Sequence, residues 1–122
     1  MAIHKVILAL GSNRADRHSQ LERAIRLCSD FVDIERLSNA IDTEPLGIET
    51  NGVFANQMLL ATTSLQLDQL NDSLKTVERR LGRNAANRSV IAIDIDIMQY
   101  DSLRLHADDW NRQYINILIA QL

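Results

Sequence analysis

Asp94 and Asp96 stand two residues apart in the run Val90-Ile91-Ala92-Ile93-Asp94-Ile95-Asp96-Ile97. Residues 90–99 read as a strand, whose alternation puts both carboxylates on one face. Ile91, Ile93, Ile95 and Ile97 then fill the opposite face and pin the register. Two neighbouring carboxylates repel, and burying either without a partner is costly. A cation resolves both problems, and hard oxygen donors at this spacing suit Mg²⁺, which commonly takes one or two carboxylates together with substrate phosphates. The competing reading is a strand with a merely solvated outer face; the apolar flanks speak against a sheet edge and for a metal. Upstream, Arg79, Arg80, Arg83 and Arg88 crowd one short window, in a chain with 11 Arg and 2 Lys. Arg suits bidentate contacts to phosphate or carboxylate. Arg83 and Arg88 beside the paired acids fit plain salt bridges or a polyphosphate held between Mg²⁺ and guanidinium. Gly11-Ser12-Asn13 lacks the Gly-Lys-Thr continuation of a P-loop, so any nucleotide site is of another design.

The elements that must position these groups follow from periodicity. Residues 3–10 read as a buried strand ending at Gly11-Ser12-Asn13. Residues 17–30 read as a helix, with Leu21, Ala24, Ile25 and Cys28 on one face. Residues 32–41 alternate as a strand, 42–52 form a shaped loop holding the one Pro, and 53–63 form another strand. Ser64 is placed to cap a helix running to Leu81, with the stripe Leu67, Leu70, Leu74, Val77 and Leu81, and Gly82 at its C′ position. From Trp110 onward a last helix is expected, with Trp110, Tyr114, Ile117 and Leu118 partly inside. The order β-α-β-β-α-β predicts an α+β, ferredoxin-like fold: an antiparallel sheet with two helices on one face.

The chain of 122 residues and 13.8 kDa has room for one domain, 1–122. At 46% hydrophobic residues it is not disordered by composition, and no apolar run approaches the roughly 20 residues of a membrane span. A net charge of −3 argues against a general nucleic-acid binder. Cys28 is the lone cysteine, which excludes an intrachain disulfide; its place on an apolar helix face indicates core packing. The N-terminus, MAIHKVILALGSN, lacks the long apolar run and small-residue cleavage site of an export signal. A reducing cytoplasm is therefore the expected location. Composition and spacing do not indicate an oligomeric state.

Taken together along the chain, these motifs resemble the 6-hydroxymethyl-dihydropterin pyrophosphokinase family of folate biosynthesis. Leu10-Gly11-Ser12-Asn13 looks like its N-terminal signature. Thr43-Glu44-Pro45-Leu46-Gly47 resembles its Thr-Pro-Pro-Leu-Gly loop, and Phe54-Ala55-Asn56 the Tyr/Phe-x-Asn that follows. Glu78 with Gly82-Arg83 is similar to its Glu-x-x-x-Gly-Arg helix end, and Asp94-Ile95-Asp96-Ile97 to its Asp-x-Asp-Ile strand. His106, Arg112 and Tyr114 keep the spacing of its closing His, Arg and aromatic. The resemblance implies transfer of pyrophosphate from ATP to the hydroxymethyl group of the pterin, with release of AMP. It implies two Mg²⁺ ions on Asp94 and Asp96, and ATP as co-substrate near Glu78, Ile97, His106 and Arg112. Arg83, Arg88, His106 and Arg112 would serve the phosphates. Asn56 and the backbone of Thr43, Pro45 and Leu46 would meet the pterin edge, and Phe54 and Tyr114 would stack on its two faces.

The chain also departs from the family. The usual Trp-Gly-Pro-Arg run before the Asp strand is replaced by Arg88-Ser89-Val90-Ile91-Ala92-Ile93, with Ile91 where the Arg stands. Leu105 replaces the Pro before the His, and Glu44 the first Pro of the pair. These changes touch the phosphate-closing loop more than the metal or pterin positions, so turnover is affected before binding; a lost Arg there is worth about 10²-fold or more. Two other expectations stand beside the enzyme: a pterin- or nucleotide-binding relative without turnover, and a ferredoxin-like interaction or regulatory module.

Overall fold

A computed structural model describes residues 2–44, 52–83 and 90–122. Pro45, Leu46 and Arg88 lie outside these residues. The strands are β1 (His4–Ser12), β2 (Asp33–Leu37), β3 (Ile41–Thr43), β4 (Phe54–Thr63), β5 (Asp94–Tyr100) and β6 (Leu103–Arg104). The helices are α1 (Arg17–Cys28), α2 (Leu67–Arg80) and α3 (Gln113–Ile119), the last preceded by a 3₁₀ turn at Asp109–Asn111. Among the described residues the strands form one antiparallel sheet in the order β2-β4-β1-β5-β6, with β3 also pairing β4. β4 lies between β1 and β2, so this is the split βαβ arrangement expected of a ferredoxin-like α+β fold.

One face of the sheet carries the larger core. Val6, Leu8, Leu10, Leu59, Ala61, Ile93, Ile95 and Ile97 pack there against Leu21, Ala24 and Cys28 of α1 and Leu70, Leu74 and Val77 of α2. Cys28 is fully buried, and burial pushes its thiol up to about 12, which leaves it a packing group. The second core lies on the opposite face, where Met58 and Met98 meet Ile115 and Leu118 of α3. The helices therefore cover both faces, and the two-on-one-face arrangement describes α1 and α2 alone.

Three local expectations are corrected. α2 is capped by Gln66, whose side chain exchanges capping bonds with Gln69, while the Leu65 N–H is taken by Thr63 Oγ1 at 3.1 Å; Ser64 plays no capping part. The strand expected at 32–41 is only β2 (Asp33–Leu37), and a separate β3 takes Ile41 together with Asp42 and Thr43, which were expected in the loop. In the tail, Ile115 rather than Ile117 faces inward, and Ile117 is 46% exposed. Arg112 is extended (ψ 140°), so the helical period restarts at Gln113 and selects Ile115 and Leu118.

The end of α2 matches expectation. Gly82 adopts φ +97°, the Gly82 N–H donates to Arg79 O and the Arg83 N–H to Glu78 O. This is the Schellman pattern, which only a residue at ease in the left-handed region closes cheaply. It sets the direction in which Arg83 leaves the helix.

Candidate active site

Asp94 and Asp96 lie on the α3 face of β5, and the register shows why that face is open. Gly11 of β1 stands between Asp94 on one side and Asn56 of β4 on the other. One step along, Ala9 stands between Asp96 and Met58. Two small residues on the central strand thus form the floor of a groove. Its floor and walls line a cleft of about 270 Å³ that includes Thr43, Phe54, Asn56, Ile91, Asp94, Asp96, Asp109 and Tyr114. Phe54 and Tyr114 share this cleft although 60 residues separate them in sequence. Asn56 is 8% exposed; its Nδ2 donates to Thr43 Oγ1 at 2.6 Å, which fixes the amide.

A second cleft of about 660 Å³ opens between the start of α2 and β5, lined by Gln66, Leu67, Asn71, Lys75, Ile95, Ile97, Leu105 and His106. Asp96 lines both clefts and is where they meet. His106 reaches it from the other side, with Nε2 3.9 Å from Asp96 Oδ1, and holds a left-handed φ of +54°. The segment carrying His106 is tied down by Leu105 N–H to Met98 O at 3.0 Å and by Trp110 Nε1 donating to Leu105 O at 2.9 Å. Arg104 lies over the Trp110 ring, 4.1 Å from its centroid.

The two acids are not equivalent. Burial, reinforced by the Asp94 charge, raises the Asp96 carboxyl to about 6, against partial relief from His106. Asp94 Oδ1 instead accepts from Arg83 Nη1 at 2.6 Å. Glu78 is 3% exposed and lines neither cleft; its Oε2 accepts from Ile95 N–H at 2.7 Å, directly behind the acid strand. Burial raises the Glu78 carboxyl, opposed by that bond. Lys75 and Arg83 approach Glu78 at 3.5 Å each. Arg112 is not free either: its Nε donates to Asp109 Oδ1 at 2.8 Å. Arg79 and Arg80 remain exposed on α2, away from both clefts.

The structure therefore gathers Thr43, Phe54, Asn56, Asp94, Asp96 and Tyr114 in one cleft and Ile97 and His106 in the other. Arg83 and Arg112 stand beside them through aspartate pairs. Four contributions, from Asp109, Gly11, Ala9 and Gln20, were not legible as such in the sequence. Asp109 was legible only as an acid three residues before an Arg. Gly11 and Ala9 supply space, which no pattern announces. Gln20, 1% exposed, donates from Nε2 to both Leu81 O and Ala92 O at 3.0 Å and joins the end of α2 to the approach of β5. The signature Gly11-Ser12-Asn13 does similar stitching: Asn13 N–H donates to Ile91 O at 3.1 Å, and the Asn13 side chain accepts from the Ile91 N–H.

The donor set suits a hard divalent cation. Two same-face carboxylates, one of them half buried with a raised proton affinity, carry repulsion that a cation would relieve. A split-βαβ sheet with such a carboxylate pair, Asp96 at the junction of an aromatic-walled cleft and a larger, more polar one, defines a two-cleft, ferredoxin-like α+β domain. Residues 7–122 match the family model described as 7,8-dihydro-6-hydroxymethylpterin-pyrophosphokinase (HPPK), and the chain belongs to that family. It is 38% identical over 96 residues to the 2-amino-4-hydroxy-6-hydroxymethyldihydropteridine pyrophosphokinase of Aquifex aeolicus, covering 78% of this chain and 60% of that protein. The enzyme of the same name from Porphyromonas gingivalis is 30% identical over 131 residues, covering 96% and 89%. A folate synthesis bifunctional protein of Arabidopsis thaliana is 28% identical over 122 residues, covering 91% of this chain and 25% of that one. The chain thus spans 60% of the Aquifex relative and a quarter of the plant protein. Among the described residues no helix is long and apolar enough to cross a membrane.

Proposed function

We propose that this chain transfers pyrophosphate from ATP to 6-hydroxymethyl-7,8-dihydropterin, giving AMP and the pterin diphosphate. The observation that carries this reading is the position of Asp96 at the junction of the two clefts. A reaction joining a flat heterocyclic alcohol to a triphosphate needs one pocket for each and charged groups where they meet. In the first cleft, Phe54 and Tyr114 offer ring faces, while Asn56, with Thr43, offers amide and hydroxyl groups to the polar edge of the pterin. Pro45 and Leu46 are assigned to the same edge on family resemblance alone. In the second cleft, Ile97 packs against the base of ATP and His106 meets its phosphates. Glu78 acts from behind, holding the Ile95 amide and so the carriage of the acid strand.

Asp94 and Asp96 are assigned two Mg²⁺ ions, which when bound would neutralise charge on the phosphate oxygens. The pterin hydroxyl oxygen bonds to the β-phosphorus, the bond from that phosphorus to the α,β-bridging oxygen breaks, AMP leaves with the bond electrons, and the hydroxyl proton goes to solvent. Arg83 and Arg112, with Arg88 on resemblance, are placed to stabilise charge on the migrating group once they leave their present partners. Their planar forks suit phosphate oxygens in a way a Lys would not. Cytoplasmic location is part of the proposal, supported by the single, buried Cys28.

A weak or inactive binding relative is the second reading, favoured by Ile91, which lines the first cleft where the family carries an Arg. Incubation with ATP, the pterin and excess Mg²⁺, followed by AMP quantification, decides between the two. AMP formation is expected; binding of both ligands without AMP establishes the second reading. Asp94→Ala and Asp96→Ala are each expected to lower AMP formation by at least about 10²-fold, and unchanged turnover in either removes the metal assignment.

A further inference from the structure

Among the described residues, the two arginines assigned to the phosphates are each held by an aspartate. Arg83 is held by Asp94, one of the proposed metal ligands, which a cation would claim. Arg112 is held by Asp109, a residue with no part in the reaction as described above. We propose that Asp109 is a positioning residue that holds Arg112 as a stand-in for phosphate and surrenders it to the triphosphate. This rests on the pyrophosphokinase reading and deepens it.

The geometry supports this in three ways. Asp109 opens the 3₁₀ turn, with its N–H on His106 O at 2.9 Å and its carbonyl accepting from the Arg112 N–H at 3.0 Å. The backbone therefore fixes both ends of the pair, and the 2.8 Å bond from Arg112 Nε to Asp109 Oδ1 adds a side-chain closure to an already closed turn. Second, Asp109 lines the first cleft beside Asp94, Asp96 and Tyr114, and its carboxylate comes within 4.8 Å of ligand atoms of Asp96 and His106. Asp109 thus reaches toward the junction at Asp96 and His106, where the proposed reaction puts the phosphates, and carries Arg112 beside it. Third, it is a pair open to solvent on one side: the Arg112 and Asp109 side chains are 38% and 30% exposed. Such pairs are weak and readily exchanged, whereas a triphosphate offers the same guanidinium several oxygens and greater charge. A carboxylate at this place also repels incoming phosphate, so it lowers nucleotide affinity while it keeps Arg112 oriented.

Calorimetric titration with Mg²⁺ and the unreactive analogue α,β-methylene-ATP tests this. Asp109→Asn is expected to bind about five-fold tighter than the parent chain, and Asp109→Glu, which restores charge and reach, to return to the parent affinity. Asp108→Asn removes the same charge from the adjacent exposed residue, which acts on Arg112 through charge alone, and is expected to change affinity far less than Asp109→Asn. The ¹⁵N signal of Arg112 Nε should move when the analogue binds to the parent chain and should already be displaced in unliganded Asp109→Asn. Unchanged or weaker binding by Asp109→Asn overturns the proposal, as does an equal gain from Asp108→Asn. If the parent binds the analogue and makes AMP while Asp109→Asn behaves identically, the stand-in role alone falls. If the parent binds no nucleotide, the pyrophosphokinase reading falls and takes this role with it.

Discussion

A Cβ placed on Gly11 would lie 3.0 Å from Asn56 Oδ1, closer than side-chain carbons normally approach an amide oxygen. The glycine is therefore needed for clearance, since it keeps the Asn56 amide seated between Thr43 and the open cleft. Gly11→Ala should turn the amide and weaken pterin binding by about ten-fold, the worth of one or two hydrogen bonds. ATP affinity and melting temperature should barely change. Calorimetry with each ligand separates these outcomes, and equal loss for both ligands would show a general collapse of β1 instead. The paired placement of the two acids was legible from residue type and spacing, while the aromatics and Asn56 entered only through the family resemblance, because nothing local in the sequence marks them. The clearance at Gly11 and the pairing of Arg112 were not, because both depend on what tertiary folding brings alongside.

At the scale of elements, the site depends on how α2 hands the chain to β5. The Schellman closure at Gly82 was readable, since a glycine after an apolar stripe has one common use. The Gln66 cap was not, because Ser64 offers the more usual capping chemistry and only the Thr63 turn displaces it. The short β6 and the split of β2 from β3 were also hidden, since two- and three-residue strands carry too few residues for a period to show. Gln20 is the least legible contributor, a polar residue on the buried face of α1 whose two bonds bridge Leu81 and Ala92. Gln20→Leu keeps the volume but leaves both carbonyls without this donor, and should cost about 2 kcal/mol or more. In a chain of this size that corresponds to a melting temperature lower by roughly 6–10 °C. AMP formation should fall as well, because the approach to Asp94 is loosened. A stability change under about 0.5 kcal/mol would show that water replaces the amide without loss.

The whole molecule has its sheet covered on both faces, by α1 and α2 on one and α3 on the other, yet the α3 face stays open at Asp94 and Asp96. That opening has a stability cost that depends on pH. In the unfolded chain Asp96 ionises near its ordinary value of about 4; in the fold, burial and the Asp94 charge hold it protonated up to about 6. Below pH 4 both states are protonated and the group is neutral to stability. Between about 4 and 6 the unfolded chain loses the proton first, so stability falls, and above 6 the penalty is fully present. Asp16 runs the opposite way, held to about 2 by bonds from Arg14 and Arg23, so its contribution is lost only as pH falls below 4. A divalent cation binds the ionised form of Asp96 and offsets the penalty, by mass action on the folded state alone. Mg²⁺ should therefore raise the melting temperature at pH 7.5 and have little effect at pH 5. Asp96→Asn should melt higher than the parent at pH 7.5 without Mg²⁺, match it near pH 4, and lose the Mg²⁺ response. Melting curves of both proteins at the three pH values, with and without Mg²⁺, test this. A Mg²⁺ shift of equal size at pH 5 and 7.5, or one that survives Asp96→Asn, would mean that the cation binds elsewhere.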